Sequence, residues 1–345
     1  MKAMDLPLHP GQCPRWLFER MVGLAREISR VIVLEYGTAE MIRRLSMPLW
    51  FQSLSCVLGF DWHSSGTTTT TTAALKIALR DFDGIAGAGG KGKTGLKTPQ
   101  EIEEKSERMG LSYARSMELI RASRLTAKVD SSCIQDGYAI YHHAFFFDEK
   151  GNFAVIQQGM KGEWARRYHW DTSDNFLEGN ESIIGFYEKN VLNMTGKEAR
   201  EARKASLDAL KEGEYLRLPM RHEILREDLS KKEIEFFNKV REFDPKNYEE
   251  LLLFKGMGEK KIRALALLSN LIYGVELDWK DPIKYSFAHG GKDGIPYPVD
   301  KPNYDESIEF LKEAVEKAKL GEREKLNAMR RLNWFLGREN GSHFV

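Results

Sequence analysis

Two apolar, β-rich runs joined by a short polar turn constrain the fold of this chain more than any other feature. The runs are DGYAIYHHAFFF (136–147) and NFAVIQQGM (152–160), and the tetrapeptide DEKG between them is typical of a hairpin turn. Apolar residues occur at both odd and even positions, so both faces of the hairpin have to be buried. The sequence therefore predicts a hairpin at the centre of a sheet that is covered by helices.

The position of the turn also predicts which residues of the hairpin lie opposite each other. With the turn at DEKG, His142 and His143 lie opposite Gln157 and Gln158, so that one histidine–glutamine set faces each side of the sheet. A histidine on an apolar strand is often only a hydrogen-bonded core residue. The structural and the catalytic interpretations of this pair both stay open.

Most of the remaining sequence has the period of helices. Apolar residues recur every three or four positions between 14 and 44, and a second helix is predicted from Tyr113 to Lys128. The sequence TPQE at 98–101 marks another helix start, with a proline at its first position. Thr70 to Thr72 are predicted to cap the helix that follows them, because hydroxyl groups satisfy the first free amides of a helix.

The chain of 345 residues is long enough for two cores, and its texture changes after about residue 197 to charge-rich helical sequence. We expect an α+β domain over residues 1–215, with a sheet covered by helices and any catalytic groups. An all-α domain over residues 216–345 would follow it.

Composition bounds the class of protein. The 52 basic and 51 acidic residues balance to a net charge of +1, so any affinity for nucleic acid has to be local. Three widely spaced cysteines favour neither a disulfide framework nor a thiolate zinc site. With no signal peptide and no apolar run long enough to span a bilayer, we expect a cytoplasmic protein that does not bind membranes.

The most specific motif lies in LLLFKGMGEKKIRALALL (251–268), which has the form of a helix-hairpin-helix over residues 248–273. Gly256 and Gly258 would permit a tight turn and leave amides free to bind a phosphate at the start of the second helix, while Met257 fills the hairpin core. The predicted contacts to the backbone of DNA are made by these glycines and by Lys255, Lys260, Lys261 and Arg263.

The stretch GAGGKGKT (87–94) matches the pattern of a phosphate-binding P-loop. A working P-loop follows an apolar strand and ends in a helix, but polar residues precede this stretch and the next predicted helix begins only at Thr98. A nucleotide hydrolase is therefore the least favoured function. We expect a mobile arm whose Lys91, Lys93 and Lys97 contact a nucleic-acid backbone.

Acidic residues and histidines of the N-terminal part predict a cation site. Asp61, His63 and Asp136 are the candidate metal ligands, and their oxygen and imidazole donors suit Mg²⁺ or Mn²⁺. Such an ion could polarise a phosphodiester while a histidine or aspartate activates water. Together with the ligands, the candidate catalytic residues are Asp130, His142, His143 and His169, and Lys128, Arg166 and Arg167 would contact phosphates.

Five sequence boxes occur in order along the chain. They are GFDWHSSGTTT (59–69), QDGYAIYHHAFFF (135–147), VIQQGM (155–160), RYHW (167–170) and FAHGGKDGIPYPV (287–299). Together they resemble a prokaryotic family catalogued as a domain of unknown function, family 763. The resemblance implies a role in DNA processing, as a structure-selective nuclease that works as a homodimer.

Two functional hypotheses follow from these features. The first is a metal-dependent, structure-selective DNA endonuclease that acts in DNA repair or recombination, with its chemistry in the N-terminal domain and its DNA-binding hairpin in the C-terminal one. The second is a non-catalytic DNA-binding adaptor. RNA stays an open alternative to DNA as the partner.

Overall fold

The computed structural model describes residues 8, 13–60, 64–179, 182–213, 230–283, 301–319 and 321–339. Four helices come first: α1 (Arg15–Tyr36), α2 (Thr38–Ser46), α3 (Pro48–Val57) and α4 (Ser65–Ala78). Gly37 separates α1 from α2 with a φ of 88°, a left-handed value that a residue with a side chain rarely adopts. Pro48 begins α3, where a missing amide hydrogen has no cost.

A five-stranded antiparallel sheet follows, and the predicted hairpin forms its centre. Its strands are β1 (Ile85–Lys91), β3 (Ala139–Asp148), β4 (Phe153–Lys161), β5 (Trp164–Asp171) and β6 (Ser182–Ile184), in the order β1-β3-β4-β5-β6. Two short strands, β2 (Ile134–Gln135) and β7 (Leu192–Asn193), pair separately. The predicted register is confirmed, since His142 pairs with Gln158 and His143 with Gln157.

Helices flank the sheet on both sides. Between β1 and β2 lie α5 (Lys93–Leu96), α6 (Thr98–Arg108) and α7 (Tyr113–Lys128), and α7 ends in a π-helical turn at Val129–Cys133. After β7 come α8 (Arg200–Glu212), α9 (Lys231–Phe243), α10 (Tyr248–Leu253), α11 (Glu259–Tyr273), α12 (Lys301–Lys317) and α13 (Glu322–Glu339). Every helix among the described residues is too short or too polar to span a bilayer.

Each face of the sheet has its own hydrophobic core. The side that we call the α4 face packs against α1 to α4, α12 and α13, through residues such as Phe146 and Ile156. The side that we call the α7 face packs against α6 to α11, through residues such as Phe145 and Val155. Both cores therefore include helices from beyond residue 216, and the predicted domain boundary at 215/216 does not separate one core from another.

The glycine-rich stretch is an ordered strand and not the mobile arm that the sequence predicted. Gly87 to Lys91 pair with β3 in β1, and α5 follows at once. A side chain at Gly89 would overlap the carbonyl of His143, so this position needs glycine to approach its neighbour. The ladder uses amides that a P-loop would need for phosphate, which gives a physical reason against a nucleotide site.

Three charged side chains cover the outer edge of β1. Lys76 Nζ donates to the carbonyl of Gly89 at 2.8 Å, and Lys105 Nζ donates to that of Gly87 at 2.5 Å. Glu101 accepts from the amide of Gly89 at 3.2 Å and pairs with both lysines. Burial would raise the pKa of Glu101, but the two lysines lower it below its ordinary value. The edge is thus satisfied by side chains of α4 and α6.

Candidate functional site

Three pairs of identical residues supply polar groups to both faces of the sheet. They are His142 and His143 on β3, Gln157 and Gln158 on β4, and Arg166 and Arg167 on β5. Because successive side chains of a strand point to opposite faces, each pair places one member on each face. These six residues and His169 are all buried.

On the α7 face, a hydrogen-bonded chain leads from Ser123 to Asp130. His143 lies between Ser123 Oγ, 2.8 Å from Nε2, and Gln157 Oε1, 2.9 Å from Nδ1. Gln157 then donates through Nε2 to Asp130, which also accepts from Trp170 Nε1 at 2.9 Å. The amide orientation of Gln157 makes His143 a donor through Nδ1 and an acceptor from the serine. Burial lowers the pKa of His143 to about 4, so the ring is neutral.

Such a serine–histidine pair has the geometry of an activated nucleophile. Ser123 on α7 and Asp130 in the π-helical turn after it are both buried, however, and both ring nitrogens of His143 have partners. The chain is therefore a satisfied core network, and the geometry favours the structural interpretation of His143.

Further along the α7 face, Arg166 lies between two carboxylates. Its Nη1 is 2.8 Å from Asp136 Oδ2, and its Nη2 is 2.6 Å from Asp281 Oδ2. Tyr168 donates to the same oxygen of Asp136 at 2.6 Å. Burial raises the pKa of Asp136 against the opposing charge of Arg166. This ion-pair network ties β5 to the segment around Asp281.

On the α4 face, the polar residues contact helix α4. Thr72 Oγ1 lies 2.9 Å from His142 Nε2 and also donates to the carbonyl of Thr68 at 2.8 Å. Its single proton is therefore used, so His142 donates through Nε2 and keeps an unprotonated Nδ1. That Nδ1 has no hydrogen-bond partner among the described residues. Burial lowers the pKa of His142 to about 3.

Gln158 connects β4 to the beginning of α4. Its Oε1 accepts from Thr68, and its Nε2 donates to the carbonyl of Ser65 at 2.9 Å and to the hydroxyl of Tyr141. The predicted caps are thus wrong: Ser64 precedes the first turn of α4, and the threonines lie inside the helix. Thr68 and Thr72 instead bind the histidine–glutamine set of this face.

Arg167 is the most unusual residue of the α4 face. Its side chain is fully buried, Nη2 donates to Gln52 Oε1 at 2.9 Å, and Cζ lies 4.9 Å from the centre of the Phe51 ring. Nε and Nη1 have no partner, and no carboxylate of the described chain pairs with the guanidinium. Burial lowers the pKa of Arg167 to about 9, so it keeps its charge at neutral pH.

His169 lies two residues further along β5 on the same face. Its Nδ1 is 3.3 Å from the carbonyl of Leu45, and its ring packs edge-on against Phe51 with 5.5 Å between centres. Burial, followed by the charge of Arg167, lowers its pKa well below the ordinary value. Nε2 has no partner in the part of the chain that the structure describes.

The predicted catalytic residues do not come together at one point. His142 and His169 lie on the α4 face, whereas Asp130, Asp136 and His143 lie on the other. Asp61 and His63 lie outside the described residues. Within those residues, no group of three His, Cys, Asp or Glu side chains could hold a metal ion. Asp136 is held in an ion pair with Arg166, and the other two predicted ligands lie outside the described residues, so the site for Mg²⁺ or Mn²⁺ stays a prediction.

The structure also corrects three predicted phosphate contacts. Arg166 and Arg167 have no exposed side-chain surface, so neither reaches a nucleic-acid backbone outside the protein. Lys128 is half-buried and donates to the carbonyl of Met257, which makes it a support of the turn between α10 and α11. Lys91, Lys93 and Lys97 are exposed, although they lie on or next to ordered elements.

The segment 248–273 forms two consecutive helices, α10 and α11, joined by residues 254–258. Met257 is buried at 1% exposure, as predicted for the residue that fills this turn. Gly256 has a φ of 93°, which explains the glycine there. Gly258 is extended, with a φ of −164° and a ψ of −177°, so the turn does not require left-handed backbone at this second glycine.

Basic side chains surround the first turn of α11. Lys255, Lys260 and Arg263 are exposed, and Lys261 is half-buried, with its Nζ 4.6 Å from the centre of the Phe236 ring. Burial and the nearby charge of Lys261 lower the pKa of Lys128. The backbone amides of Gly258, Glu259 and Lys260 donate to no acceptor in the described chain, which leaves three donors at the start of the helix.

The comparison with family models decides the identity of the chain. The model described as "Protein of unknown function (DUF763)" matches residues 2–299. The chain belongs to the DUF763 family. No curated protein and no solved structure matches it.

Sequence reasoning missed several residues of the polar faces of this DUF763 chain. Ser123 and Gln52 each lie among other polar residues of their helices, and no local pattern distinguishes them from these neighbours. Asp281 precedes a proline in a segment without regular structure. Thr68 and Thr72 did carry a signal, because β-branched residues are unfavourable inside helices unless their hydroxyls bind something.

Proposed function

We propose that this protein binds the backbone of DNA through the first turn of α11. The observation that carries the proposal is the set of three free amides at Gly258, Glu259 and Lys260, in a turn whose neighbouring side chains are basic. A helix N-terminus favours anions because its amides and its dipole point toward the ligand. In this proposal, α10 and α11 act as a helix-hairpin-helix that contacts phosphates and not bases.

Charge supports the same surface. Four basic residues and one acidic residue occur between 255 and 263, although the whole chain is almost neutral. Burial is the main cause of the lowered pKa of Lys128, and the nearby charge of Lys261 lowers it further. Backbone contacts carry no sequence information, so we expect binding that depends on salt and not on sequence. A single hairpin binds weakly, and a homodimer with two hairpins would supply the missing affinity.

A binding assay on duplex and branched DNA tests this proposal. The double variant Lys260→Glu/Lys261→Glu should weaken binding by roughly tenfold or more and reduce the slope of affinity against salt by about 2. Lys319→Glu/Arg323→Glu makes the same change of charge at exposed positions beside the other core and should leave binding unchanged. Equal losses in the two variants, or none in the first, would exclude the hairpin as the DNA site.

A metal-dependent, structure-selective DNA endonuclease is the second candidate function. One observation favours it: Ser65, two residues after His63, binds Gln158, which lies between His142 and Arg167 in the sheet. The end of the predicted metal-binding box therefore meets the row of buried polar residues on the α4 face. The described residues themselves form no metal site, so this activity needs Asp61 and His63.

Cleavage assays separate the nuclease from the adaptor. The full-length protein is incubated with branched and bubble DNA, with and without Mn²⁺. A nuclease should cut in the presence of Mn²⁺ and lose activity in His63→Ala, while its affinity for DNA stays unchanged. Binding without cleavage under every condition supports the non-catalytic adaptor, and repetition with RNA of the same sequence decides between the two nucleic acids.

A further inference from the structure

We propose that the α4 face of the sheet binds one inorganic phosphate ion, held by the guanidinium of Arg167. The first observation is an unbalanced charge. Arg167 is fully buried, and no carboxylate of the described chain forms an ion pair with it. Taking a guanidinium out of water without a counter-charge has a large desolvation cost, and buried charges in proteins are paired for this reason. A bound anion would supply the missing charge.

The second observation is the arrangement of the free donors. Nη2 of Arg167 donates to Gln52, whereas Nε and Nη1 donate to no described acceptor. Nη2 carries one hydrogen on each edge of the planar guanidinium, so the edge that Gln52 does not use keeps two parallel donors. Two parallel N–H groups bind two oxygens of a phosphate or carboxylate in the bidentate manner.

The third observation distinguishes phosphate from other anions. His169 donates through Nδ1 to a carbonyl, so its neutral Nε2 is an acceptor, and it has no donor in the described chain. The ring of Phe51 packs against both His169 and Arg167, so the free acceptor and the free donors lie in the same part of the α4 face. The ligand must then accept from an arginine and donate to an imidazole.

Inorganic phosphate has both properties, because it keeps at least one P–OH group at neutral pH beside its charged oxygens. A carboxylate or sulfate ion has no proton to donate at this pH. A phosphate monoester loses its last proton near pH 6. The same face contains a further free acceptor, Nδ1 of His142 on β3. Gln158 on β4 lies between this histidine and Arg167. The chemistry of the free groups therefore favours inorganic phosphate over carboxylates, sulfate and phosphate monoesters.

This site is independent of the proposed DNA surface, since it lies on the other face of the sheet from α11. Thermal unfolding of the full-length protein tests it at constant ionic strength, with phosphate, sulfate, acetate or glycerol phosphate replacing chloride. A ligand that binds only the folded state raises the melting temperature with its concentration. We expect the largest rise in inorganic phosphate, and ³¹P NMR should show a bound signal distinct from free phosphate.

Arg167→Met should abolish the rise, and Arg167→Lys should weaken phosphate binding roughly 10- to 100-fold, because lysine keeps the charge but lacks the planar fork. Arg203→Met is the matched control. Arg203 is also buried, but it donates to Glu178 and to backbone carbonyls in the other core, so its variant should keep the phosphate response. If Arg167→Met does not fold, the lysine variant and the NMR signal still decide.

Three results would overturn the proposal. An equal rise in phosphate for Arg167→Met and the unchanged protein would show that the ion binds elsewhere. Equal rises in all four anions would show a general salt effect without a site. If sulfate matched phosphate, the donor role toward His169 would be wrong, and with it the choice of inorganic phosphate.

Discussion

The two faces of the five-stranded sheet contain the same polar residue types, but the partners of these residues differ between the faces. On the α7 face, His143 has partners on both ring nitrogens, and Arg166 lies between two carboxylates. On the α4 face, His142 and His169 each keep one ring nitrogen without a partner in the described chain, and Arg167 keeps two guanidinium nitrogens without one. The alternation of side chains along each strand thus produces two networks. The network on the α7 face is closed, because its histidine and arginine have partners, and the network on the α4 face is open, because some of its polar atoms have none in the described chain.

The difference comes from the elements that cover each face. The end of α7 and the segments before β3 and around residue 281 bring three aspartates to the α7 face: Asp130, Asp136 and Asp281. Helices α3 and α4 bring neutral groups to Arg167 and His142, namely Gln52 and Thr72. Buried polar groups normally find partners, so the open network is the part of the sheet with capacity to bind something.

The largest expected effect separates the two arginines. Arg166→Met should lower the free energy of unfolding by about 3–5 kcal/mol, because it leaves Asp136 and Asp281 buried without their shared partner. Arg167→Met, one residue away and similar in volume change, should be neutral or stabilising in phosphate-free buffer, since it removes a buried charge that lacks a counter-charge. Urea unfolding of both variants measures the difference. Similar losses in the two would remove the distinction between the faces.

The next effect is a loss of folding stability at acidic pH. The folded pKa values of His142 and His143 are lowered to about 3 and about 4, whereas an unfolded histidine has a pKa near ~6.5. Below that value the unfolded state takes up protons that the folded state cannot. Stability should therefore fall by about 1.4 kcal/mol per pH unit for each of these histidines as the pH decreases from ~6.5.

His142→Gln and His143→Gln should each reduce the slope of stability against pH by the contribution of one histidine. Urea unfolding at several pH values between 7.5 and 5 measures it. Bound phosphate would complicate the α4 face, so the series is run without phosphate. An unchanged slope in either variant would mean that the histidine is already protonated in the folded state.

The smallest expected effect comes from removing single hydrogen bonds on the two faces of the sheet. Ser123→Ala and Thr72→Val each remove a hydroxyl that binds a buried histidine, and each should cost about 1–2 kcal/mol. Ser123→Ala should not be additive with Asp130→Asn, because both belong to one hydrogen-bonded chain. Thr72→Val should be additive with Arg167→Met, since no hydrogen bond described here joins the two sites. Double-mutant cycles measure both couplings.

Much of the fold was readable from local sequence. The hairpin, its register and the helix at 113–128 follow from periodicity and from the DEKG turn, and each is confirmed. The side of the sheet on which each histidine and glutamine lies also follows, because it depends only on alternation along a strand. These predictions use neighbours within one element or one turn.

The predictions that were wrong all concern residues whose partners are distant in sequence. Arg166 was expected at a phosphate, but its partners are 30 and 115 positions away, and no local pattern encodes them. Gly87 to Lys91 look flexible alone and form a strand because β3 pairs with them. The cap prediction for the threonines of α4 was wrong because the side chains that Thr68 and Thr72 contact, Gln158 and His142, lie on β4 and β3. Tertiary contacts decide such cases.

The charged cover of β1 limits how copies of this chain can assemble. An open strand edge is the usual place where a second molecule adds its own strand and continues a sheet. Here Lys76, Glu101 and Lys105 already use the polar groups of Gly87 and Gly89 that a visiting strand would need. A homodimer of the kind that two DNA-binding hairpins would require must therefore form through helices or at the opposite end of the sheet, beside β6.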